Sequence, residues 1–352
     1  MRRSPRLRNV RKVAIISWGF WGDSVIMTPL LDALHGLYPG VRIILIIGPS
    51  GDRGRRAHPG FLFQNDPRVS GVYVTGSLAA AALMRGRRCD LAIDLVSNRK
   101  TRIFVKASGA LNIISAKFCH KTPRIFSWLT LGDDGRQCVQ RIPMRRHLGN
   151  LPDSRSQQLL KIARFLNNRE GRFRSLRPKL FVSNSEQRWA NGFLSQKGVA
   201  PEDTIIGIQP GGHWPHRLWP GGYYGLVART LARRKKTRVL VFYAPGETRY
   251  AQKVRRASQA DVVLIGERDA RRYMALLSQC QVFISSDGGP LHLALACGVP
   301  CVGLFKDERN AALWFDWRAR QDLRSVFFQK QSPREQVAAV LAGVKAGLRR
   351  RR

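Results

Sequence analysis

A carboxylate follows the first apolar run of the sequence within a glycine-containing turn, residues 19–24, Gly-Phe-Trp-Gly-Asp-Ser. The apolar run, residues 13–17, is typical of a buried strand, and the glycines allow a tight turn after it. We expect Asp23 to lie at the start of the next helix, where the helix dipole favours a charged carboxylate. Two interpretations are open: Asp23 caps the helix, or it is a general base that accepts the proton of an attacking hydroxyl group.

A second glycine turn occupies residues 209–220, Gln-Pro-Gly-Gly-His-Trp-Pro-His-Arg-Leu-Trp-Pro. Gly211 and Gly212 allow a phosphate to approach backbone N–H groups, and the guanidinium of Arg217 offers two parallel donors to phosphate oxygens. An ordinary loop rich in glycine and proline is the alternative. His213 and His216 do not predict a metal site, because no carboxylate or cysteine stands nearby as a third ligand.

A third turn, residues 286–294, reads Ser-Asp-Gly-Gly-Pro-Leu-His-Leu-Ala and joins a predicted strand directly to a predicted helix. The amides of Gly288 and Gly289 at the helix start favour an anion, and His292 follows one turn later. Asp287 would repel a phosphate, so we expect it to bind a hydroxyl group or to orient the loop. For His292 the alternative is a buried core histidine.

Apolar strands alternate with amphipathic helices along the chain, which predicts parallel sheets covered on both faces. The predicted strands are residues 13–17, 41–47, 71–74, 90–96, 111–115, 204–209, 237–243, 262–265, 281–285 and 301–305. The predicted helices are residues 25–37, 99–107, 223–233, 247–257, 271–278 and 290–297. Because 352 residues exceed the usual size of one core, we expect two sheets, with ligands bound in the cleft between them.

The charge of the chain is strongly positive, with 61 Lys and Arg against 23 Asp and Glu. Such a field attracts polyanions. Residues 96–132 contain no carboxylate but seven basic side chains: Arg99, Lys100, Arg102, Lys106, Lys117, Lys121 and Arg124. We expect this stretch to face an anionic partner; the alternative is an ordinary solvated basic surface.

The six cysteines form no C-x-x-C pair, which favours a reducing compartment over a disulfide framework. The basic start and the apolar residues 13–21 resemble the first parts of a signal peptide, but the run is short and no small-residue cleavage site follows. No window is apolar enough to span a membrane. We therefore expect a cytoplasmic protein whose membrane contact, where it occurs, is peripheral.

The three turns, in this order and spacing, resemble those of the bacterial lipopolysaccharide heptosyltransferases, glycosyltransferase family nine. The resemblance covers about residues 13–306 and includes the strand and basic helix at residues 90–109 and the Gly246-Glu247 pair. It implies an α/β fold of GT-B architecture, with two Rossmann-like domains whose parallel sheets face each other across a cleft. The expected parts are an acceptor-binding domain (1–175), a nucleotide-sugar-binding domain (176–325), and a C-terminal helix with a basic tail (326–352).

Carried over residue by residue, the resemblance implies that Asp23 is the catalytic base. It implies that the donor is bound by Gly211, Gly212, His213, Arg217, Glu247, Asp287, Gly288, Gly289 and His292. We assign acceptor binding to the basic side chains of Arg99, Arg102 and Lys106. The implied reaction is an inverting displacement in which ADP leaves, with no metal and no cofactor besides the nucleotide sugar.

Two positions depart from the family pattern. Arg217 stands where lysine is common, and Gly288 stands where a serine or threonine commonly follows the aspartate, so a hydroxyl donor to the phosphate is lost. Both departures leave the donor sugar open.

The predicted function is transfer of a heptose from ADP-heptose to the anionic inner core of lipopolysaccharide, with an anionic membrane surface as a further partner. One alternative is a related transferase that uses another nucleotide sugar for a different surface polysaccharide. A basic nucleic-acid-binding protein ranks lower, because nothing here resembles a base-stacking sheet or a recognition helix, and we expect no nucleic acid partner.

Overall fold

The structure of the chain, a computed structural model, describes two parallel sheets and the helices that cover them. The described residues are 7, 9–17, 19–48, 58–74, 88–96, 101–110, 112–118, 138–144, 154–167, 173, 177–315 and 320–350. Among the helices of this part of the chain, none combines the length and the apolar character that crossing a bilayer requires.

The first sheet contains six parallel strands in the order β3-β2-β1-β4-β5-β6. Its strands are β1 (Lys12–Ser17), β2 (Arg42–Ile47), β3 (Gly71–Val74), β4 (Leu91–Asp94), β5 (Asn112–Phe118) and β6 (Cys138–Met144). Its helices are α1 (Trp21–Ile26), α2 (Thr28–Leu37), α3 (Arg102–Ala107) and α4 (Arg155–Asn167), with a short 3-10 helix at Pro59–Phe63. Five consecutive buried residues in β1 and in β2 show that helices cover both faces.

The second sheet repeats this topology, in the order β12-β11-β10-β7-β8-β9. Its strands are β7 (Thr204–Gln209), β8 (Thr237–Phe242), β9 (Val263–Ile265), β10 (Val282–Ser286), β11 (Cys301–Phe305) and β12 (Leu323–Phe327). Its helices are α5 (Asn184–Gln196), α6 (Gly221–Ala232), α7 (Thr248–Ser258), α8 (Ala270–Gln279), α9 (Gly289–Ala296), α10 (Glu308–Phe315) and α11 (Pro333–Arg350). In both sheets the first and fourth strands lie side by side, and the order reverses there, which is where such sheets bind ligands.

Three predictions of local structure need correction. The helix predicted at residues 25–37 is two helices, α1 and α2, which meet at Met27, and Pro29 lies in the first turn of α2, where its missing N–H costs nothing. Strand β6 was not predicted, because it is polar and contains Pro143; it is an edge strand, where proline is tolerated. Strand β12 was also not predicted. It spans residues 323–327 and so crosses the predicted boundary between the second domain and the C-terminal helix, at 325/326. The domain boundaries themselves remain predictions.

The halves are joined by a segment that we call the linker, residues 177–183. Arg68 of the first half donates from Nη2 to the Lys179 carbonyl at 2.9 Å. Arg271 of α8 donates to the Phe181 carbonyl at 2.6 Å and, from Nη1, to the Leu62 carbonyl of the first half at 2.8 Å. Because both guanidinium groups are buried, these charge-assisted hydrogen bonds fix the linker between the two halves.

Candidate functional site

The N-terminal turns of α1 and α9, one from each sheet, are in direct contact. A Cβ built on Gly22 would lie 3.1 Å from Cδ2 of His292, and one built on Gly289 would lie 3.2 Å from the Cβ of Trp21. Glycine at these two positions therefore lets the helices approach this closely. Asp23 follows Gly22, so the predicted base lies at the junction between the two sheets, next to the start of α9.

Asp23 occupies the first turn of α1, and Phe20 rather than Asp23 is the residue at the N-cap position. Burial raises the pKa of Asp23 to about 6, and the charge of Arg155 on α4 opposes this rise. The helix dipole is expected to favour the charged form of Asp23, and the loss of hydration acts against it. A carboxylate with a pKa near 6 is ionised at neutral pH and is more basic than an ordinary aspartate.

Gly211 and Glu247 meet in the second half of the site. A Cβ on Gly211 would lie 2.5 Å from Oε2 of Glu247, so the position has no space for a side chain. The same carboxylate oxygen accepts hydrogen bonds from Gln209 Nε2 at 2.9 Å and from the backbone N–H of Ala244 at 3.1 Å. Glu247 is thus held at the carboxyl ends of β7 and β8, half-buried and directly before α7.

Arg217 and Asp287 form an ion pair between the second and third turns, with 3.2 Å between Nη1 and Oδ2. Burial raises the pKa of Asp287 to about 6, which the Arg217 charge opposes and the nearby Asp307 reinforces. That Asp287 orients a loop remains a prediction; the residue with which its carboxylate forms an ion pair is Arg217. The side chain of Arg217 is 27% exposed, and its guanidinium has further donors for a ligand.

The loop that carries Arg217 is anchored two residues later by Trp219, which is buried. The backbone N–H of Trp219 donates to Ser286 Oγ at 2.9 Å, and its indole Nε1 donates to Gln336 Oε1 of α11 at 2.6 Å. Because Ser286 directly precedes Asp287, the same contact positions both members of the Arg217–Asp287 pair.

The start of α9 is built from Gly288 and Gly289, followed by His292 one turn later. Gly288 is extended, with φ 173°, and a Cβ there would meet nothing closer than 3.7 Å, so this position has room for a side chain. His292 is buried and stacks on Phe315, with ring centroids 3.9 Å apart. Burial, reinforced by the charge of Arg320, lowers the pKa of His292 to about 3, so its imidazole is neutral at physiological pH.

His213 is exposed at the edge of the same cleft, and Gly212 beside it is half-buried. The His213 ring lies 6.1 Å from that of Phe20, which follows the first strand, and 4.6 Å from that of Trp214. His213 therefore stands opposite the N-terminal turn.

The three predicted acceptor-binding residues are only partly described. Arg99 lies outside the described residues. Arg102 is the first residue of α3, and Lys106 is exposed near the end of the same helix. The structure therefore leaves their acceptor role a prediction.

Sequence reasoning missed a chain of contacts that runs from Trp21 to Glu247. The Trp21 and Tyr273 rings lie 5.5 Å apart, and the hydroxyl of Tyr273 donates to Gln209 Oε1 at 3.0 Å. Gln209, 1% exposed, then reaches Glu247. The signal was present, since a buried glutamine ending an apolar strand requires partners. A small pocket here is lined by Trp21, Gln209, Ala244, Pro245, Glu267, Arg268, Tyr273 and Pro290.

Within the part of the chain that the structure describes, no three side chains of His, Cys, Asp or Glu cluster in a way that would hold a metal ion.

The comparison with protein families supports the resemblance seen in the motifs. The model described as glycosyltransferase family 9 (heptosyltransferase) matches residues 174–336, and the predicted resemblance is confirmed over this region. The match includes the second and third turns; Asp23 lies outside it.

Two curated relatives match a shorter region. Lipooligosaccharide heptosyltransferase 2 of Haemophilus influenzae is 26% identical over 137 residues, which are 37% of this chain and 39% of that protein. Lipopolysaccharide heptosyltransferase 2 of Escherichia coli is 25% identical over 134 residues, 36% of this chain and 37% of that protein. The chain thus spans less than two fifths of the length of these relatives in the matched region.

Solved structures resemble the whole fold. The glycosyl transferase family 9 protein from Veillonella parvula has a TM-score of 0.76 at 15% identity, covering 95% of this chain and 97% of that one. The E. coli ADP-heptose lps heptosyltransferase II has a TM-score of 0.69 at 18% identity, covering 95% and 98%. At such identities the likeness shows the fold alone, and the GT-B architecture predicted from the sequence is confirmed.

Proposed function

We propose that this chain is an inverting glycosyltransferase that moves a heptose from ADP-heptose to the anionic inner core of lipopolysaccharide. One observation supports the proposal most: Gly22 contacts His292 and Gly289 contacts Trp21, so Asp23, the residue after Gly22, belongs to a turn that packs against the glycine turn of the second sheet. The family match over residues 174–336 and the names of the relatives support the choice of sugar and acceptor.

In this proposal the donor diphosphate binds Arg217 and the N–H groups at the start of α9. Arg217 is oriented by its ion pair with Asp287 and retains donors for phosphate oxygens. The backbone amides of Gly288 and Gly289 supply the helix N-terminus that favours an anion. Glu247, held by Gln209 beside Gly211, accepts hydrogen bonds from the ribose hydroxyls of the donor.

The reaction that this arrangement favours is a single displacement. Ionised Asp23 accepts the proton of the acceptor hydroxyl. At the same time the oxygen of that hydroxyl attacks the anomeric carbon from the side opposite the diphosphate. A new C–O bond forms, the bond to the diphosphate oxygen breaks, and ADP leaves with both electrons of that bond. Arg217 and the α9 amides stabilise the charge that develops on ADP. The proposal includes no metal and no cofactor.

The acceptor fits the charge of the first half of the chain. Its residues 96–132 are basic without a carboxylate, and Lys106 is exposed on α3. Phosphates and carboxylates of an inner core would be attracted by this field, which raises the encounter rate. We place the reaction in the cytoplasm, where nucleotide sugars are made.

A second candidate keeps the reaction and changes the donor sugar. Gly288 replaces the hydroxyl residue of the family pattern, and the structure has room for a side chain there. A binding site that lacks this hydroxyl donor can favour another nucleotide sugar. The charge of the chain alone does not favour a nucleic-acid-binding protein over either transferase.

A donor screen tests the proposal. The protein would be incubated with a panel of nucleotide sugars and with lipopolysaccharide cores truncated at successive sugars, and the products would be weighed by mass spectrometry. We expect a heptose mass to be added from ADP-heptose to one truncated core, with loss of transfer but retained ADP binding in Asp23→Ala. Transfer from another donor would select the second candidate, and full turnover in Asp23→Ala would reject the assigned base.

A further inference from the structure

Helices α6 and α7 form a strongly basic surface on the second half of the chain, far in sequence from the basic stretch at residues 96–132. The two helices contain no carboxylate and five basic side chains: Arg229, Arg249, Lys253, Arg255 and Arg256. Arg249, Lys253 and Arg256 follow one face of α7 at spacings of four and three residues, and all three are exposed. They project on one side of the helix.

The two helices lie side by side and run in the same direction. A Cβ on Gly221, at the start of α6, would lie 3.1 Å from Cδ of Lys253, and one on Gly225 would overlap the Cβ of Ala257. These two glycines remove the side chains that would otherwise separate the helices. A shallow surface on α7 is lined by Arg249, Tyr250, Lys253 and Arg256. Together with Gly222 and Leu226 of the neighbouring α6 we call it the α6–α7 face.

The cations of this face have no acidic partners in the described part of the chain. Among the described residues, no carboxylate forms an ion pair within 4 Å with Arg249, Lys253 or Arg256. Arg249 instead lies over the ring of Tyr250, with its guanidinium carbon 4.8 Å from the ring centroid. Basic side chains left unpaired at this density repel one another, so they favour an external anion.

The face also carries exposed apolar surface. Leu226 is 46% exposed on α6, and Tyr250, partly exposed, lies between the cations of α7. Cations around an exposed leucine and a tyrosine match the interfacial region of an anionic bilayer, where the basic groups meet lipid phosphates and the apolar groups enter between headgroups. A nucleic acid would use the cations and leave Leu226 without a partner.

From these contacts we infer that the α6–α7 face docks the protein on an anionic lipid surface. The inference does not depend on the proposed function, since it uses none of the residues assigned to donor binding or to proton transfer. It differs from the sequence-based expectation in its location, which is on the second half of the chain rather than on the basic stretch of the first.

Sedimentation with vesicles tests the inference on the full chain. The probes are vesicles of phosphatidylcholine alone and of equal parts phosphatidylcholine and phosphatidylglycerol, at low and at high salt. We expect pelleting only with the anionic vesicles and only at low salt. Each well-placed cation contributes about fivefold to such partitioning, so the double variant Lys253→Glu/Arg256→Glu should bind at least about 20-fold more weakly.

The matched control is Arg188→Glu/Lys197→Glu, which reverses an exposed cation of α5 and the exposed cation that directly follows it, and changes the net charge equally. We expect this control to lose much less binding, and Leu226→Ser to bind anionic vesicles more weakly than the wild type at low salt. Retained ADP affinity and unchanged circular dichroism show that each variant is folded.

Three results would overturn the inference: equal losses in the two double variants, unchanged binding of Lys253→Glu/Arg256→Glu, or an effect of that variant on oligonucleotide binding with none on vesicles. Transfer to a water-soluble core oligosaccharide should be unaffected by the α7 reversals, so failure of docking and failure of the transferase proposal are separable.

Discussion

Gly22 lies against the imidazole of His292, and this contact joins the helix that carries the proposed base to the helix that begins the proposed diphosphate site. The ring cannot move aside easily, because it is buried and stacked on Phe315. The separation of the two helices therefore depends on the absence of a side chain at residue 22.

Gly22→Val should force α1 away from α9 and move Asp23 out of reach of the donor. Because misplacement by about 1 Å costs roughly 100-fold in rate, we expect kcat to fall by at least tenfold while the Kd for ADP changes little. The control is Gly36→Val on α2, where a Cβ would meet nothing within 4 Å. Equal kinetic losses in the two variants would contradict the prediction.

The pH dependence of transfer should report the raised pKa of Asp23. Since the base must be ionised, kcat/KM is expected to fall as the pH drops below about 6. Asp287 titrates in the same range. If Asp23 causes the fall in kcat/KM at acidic pH, the Asp287→Asn variant should show the same fall. If the variant shows no such fall, the titrating group is Asp287 instead.

The raised pKa of Asp23 also predicts how the stability of the fold depends on pH. The folded pKa of Asp23 is above its usual value of 3.8, so the folded state binds more protons between about pH 4 and 6. This contribution to stability is present below pH 4 and is lost as the pH rises past 6. Asp23→Asn should raise the free energy of unfolding at pH 7 by about 1 to 3 kcal/mol, measured by denaturant titration, and should change it little at pH 3.5.

Arg155 should hold the Asp23 pKa lower than burial alone would set it. Arg155→Gln is expected to shift the acidic limb of kcat/KM to higher pH, while Arg188→Gln on α5 leaves it in place. Arg155 also lies over the ring of Trp314 on α10, 5.5 Å from its centroid, so it connects the two halves. A fall in kcat with no movement of the limb would indicate only a structural role.

Glu247 and Gly211 should be energetically coupled. Glu247→Ala is expected to weaken ADP binding by about 1.5 to 3 kcal/mol, the usual value of hydrogen bonds to a charged group. Gly211→Ala should also weaken binding, because its Cβ displaces the carboxylate. In the Glu247→Ala background Gly211→Ala should cost little, and calorimetric affinities that add in the double variant would rule the coupling out.

Which site residues the sequence predicts depends on how far apart in the sequence the contacting residues lie. Gly211, Arg217 and Gly289 could be proposed as site residues because each lies in a turn whose chemistry is readable over a few neighbouring residues. Arg155 was not found, since its effect on Asp23 acts across 132 positions of sequence and becomes visible only when α4 folds against α2.

The pKa of Asp23 illustrates a second limit. Asp23 was predicted at the start of a helix and lies in the first turn of α1, where the helix dipole alone would lower its pKa. The burial that raises the pKa is set by the tertiary fold, which no local pattern encodes. The strand β6 was missed for a related reason, because an edge strand needs no apolar alternation and tolerates Pro143.

Arg271 gives a prediction for stability that is independent of catalysis. Its side chain is 7% exposed and pairs with Glu186 at 2.7 Å. Arg271→Met leaves that carboxylate unpaired and should lower the free energy of unfolding by about 3 to 5 kcal/mol. Arg272→Met, one residue on and exposed, should lower it by less than about 1 kcal/mol through its contact with Trp189. Similar midpoints in urea would contradict this difference.

The hydrogen bonds of Arg68 and Arg271 to the linker carbonyls also bear on how the two halves of the chain could separate. On that side, any separation of the halves breaks several buried charge-assisted hydrogen bonds at once. On the side of Asp23, Gly22 and His292 are in van der Waals contact. Separating this contact requires much less free energy than breaking those hydrogen bonds. If the halves separate, we therefore expect them to rotate about an axis near residue 180 and to part on the side of Asp23.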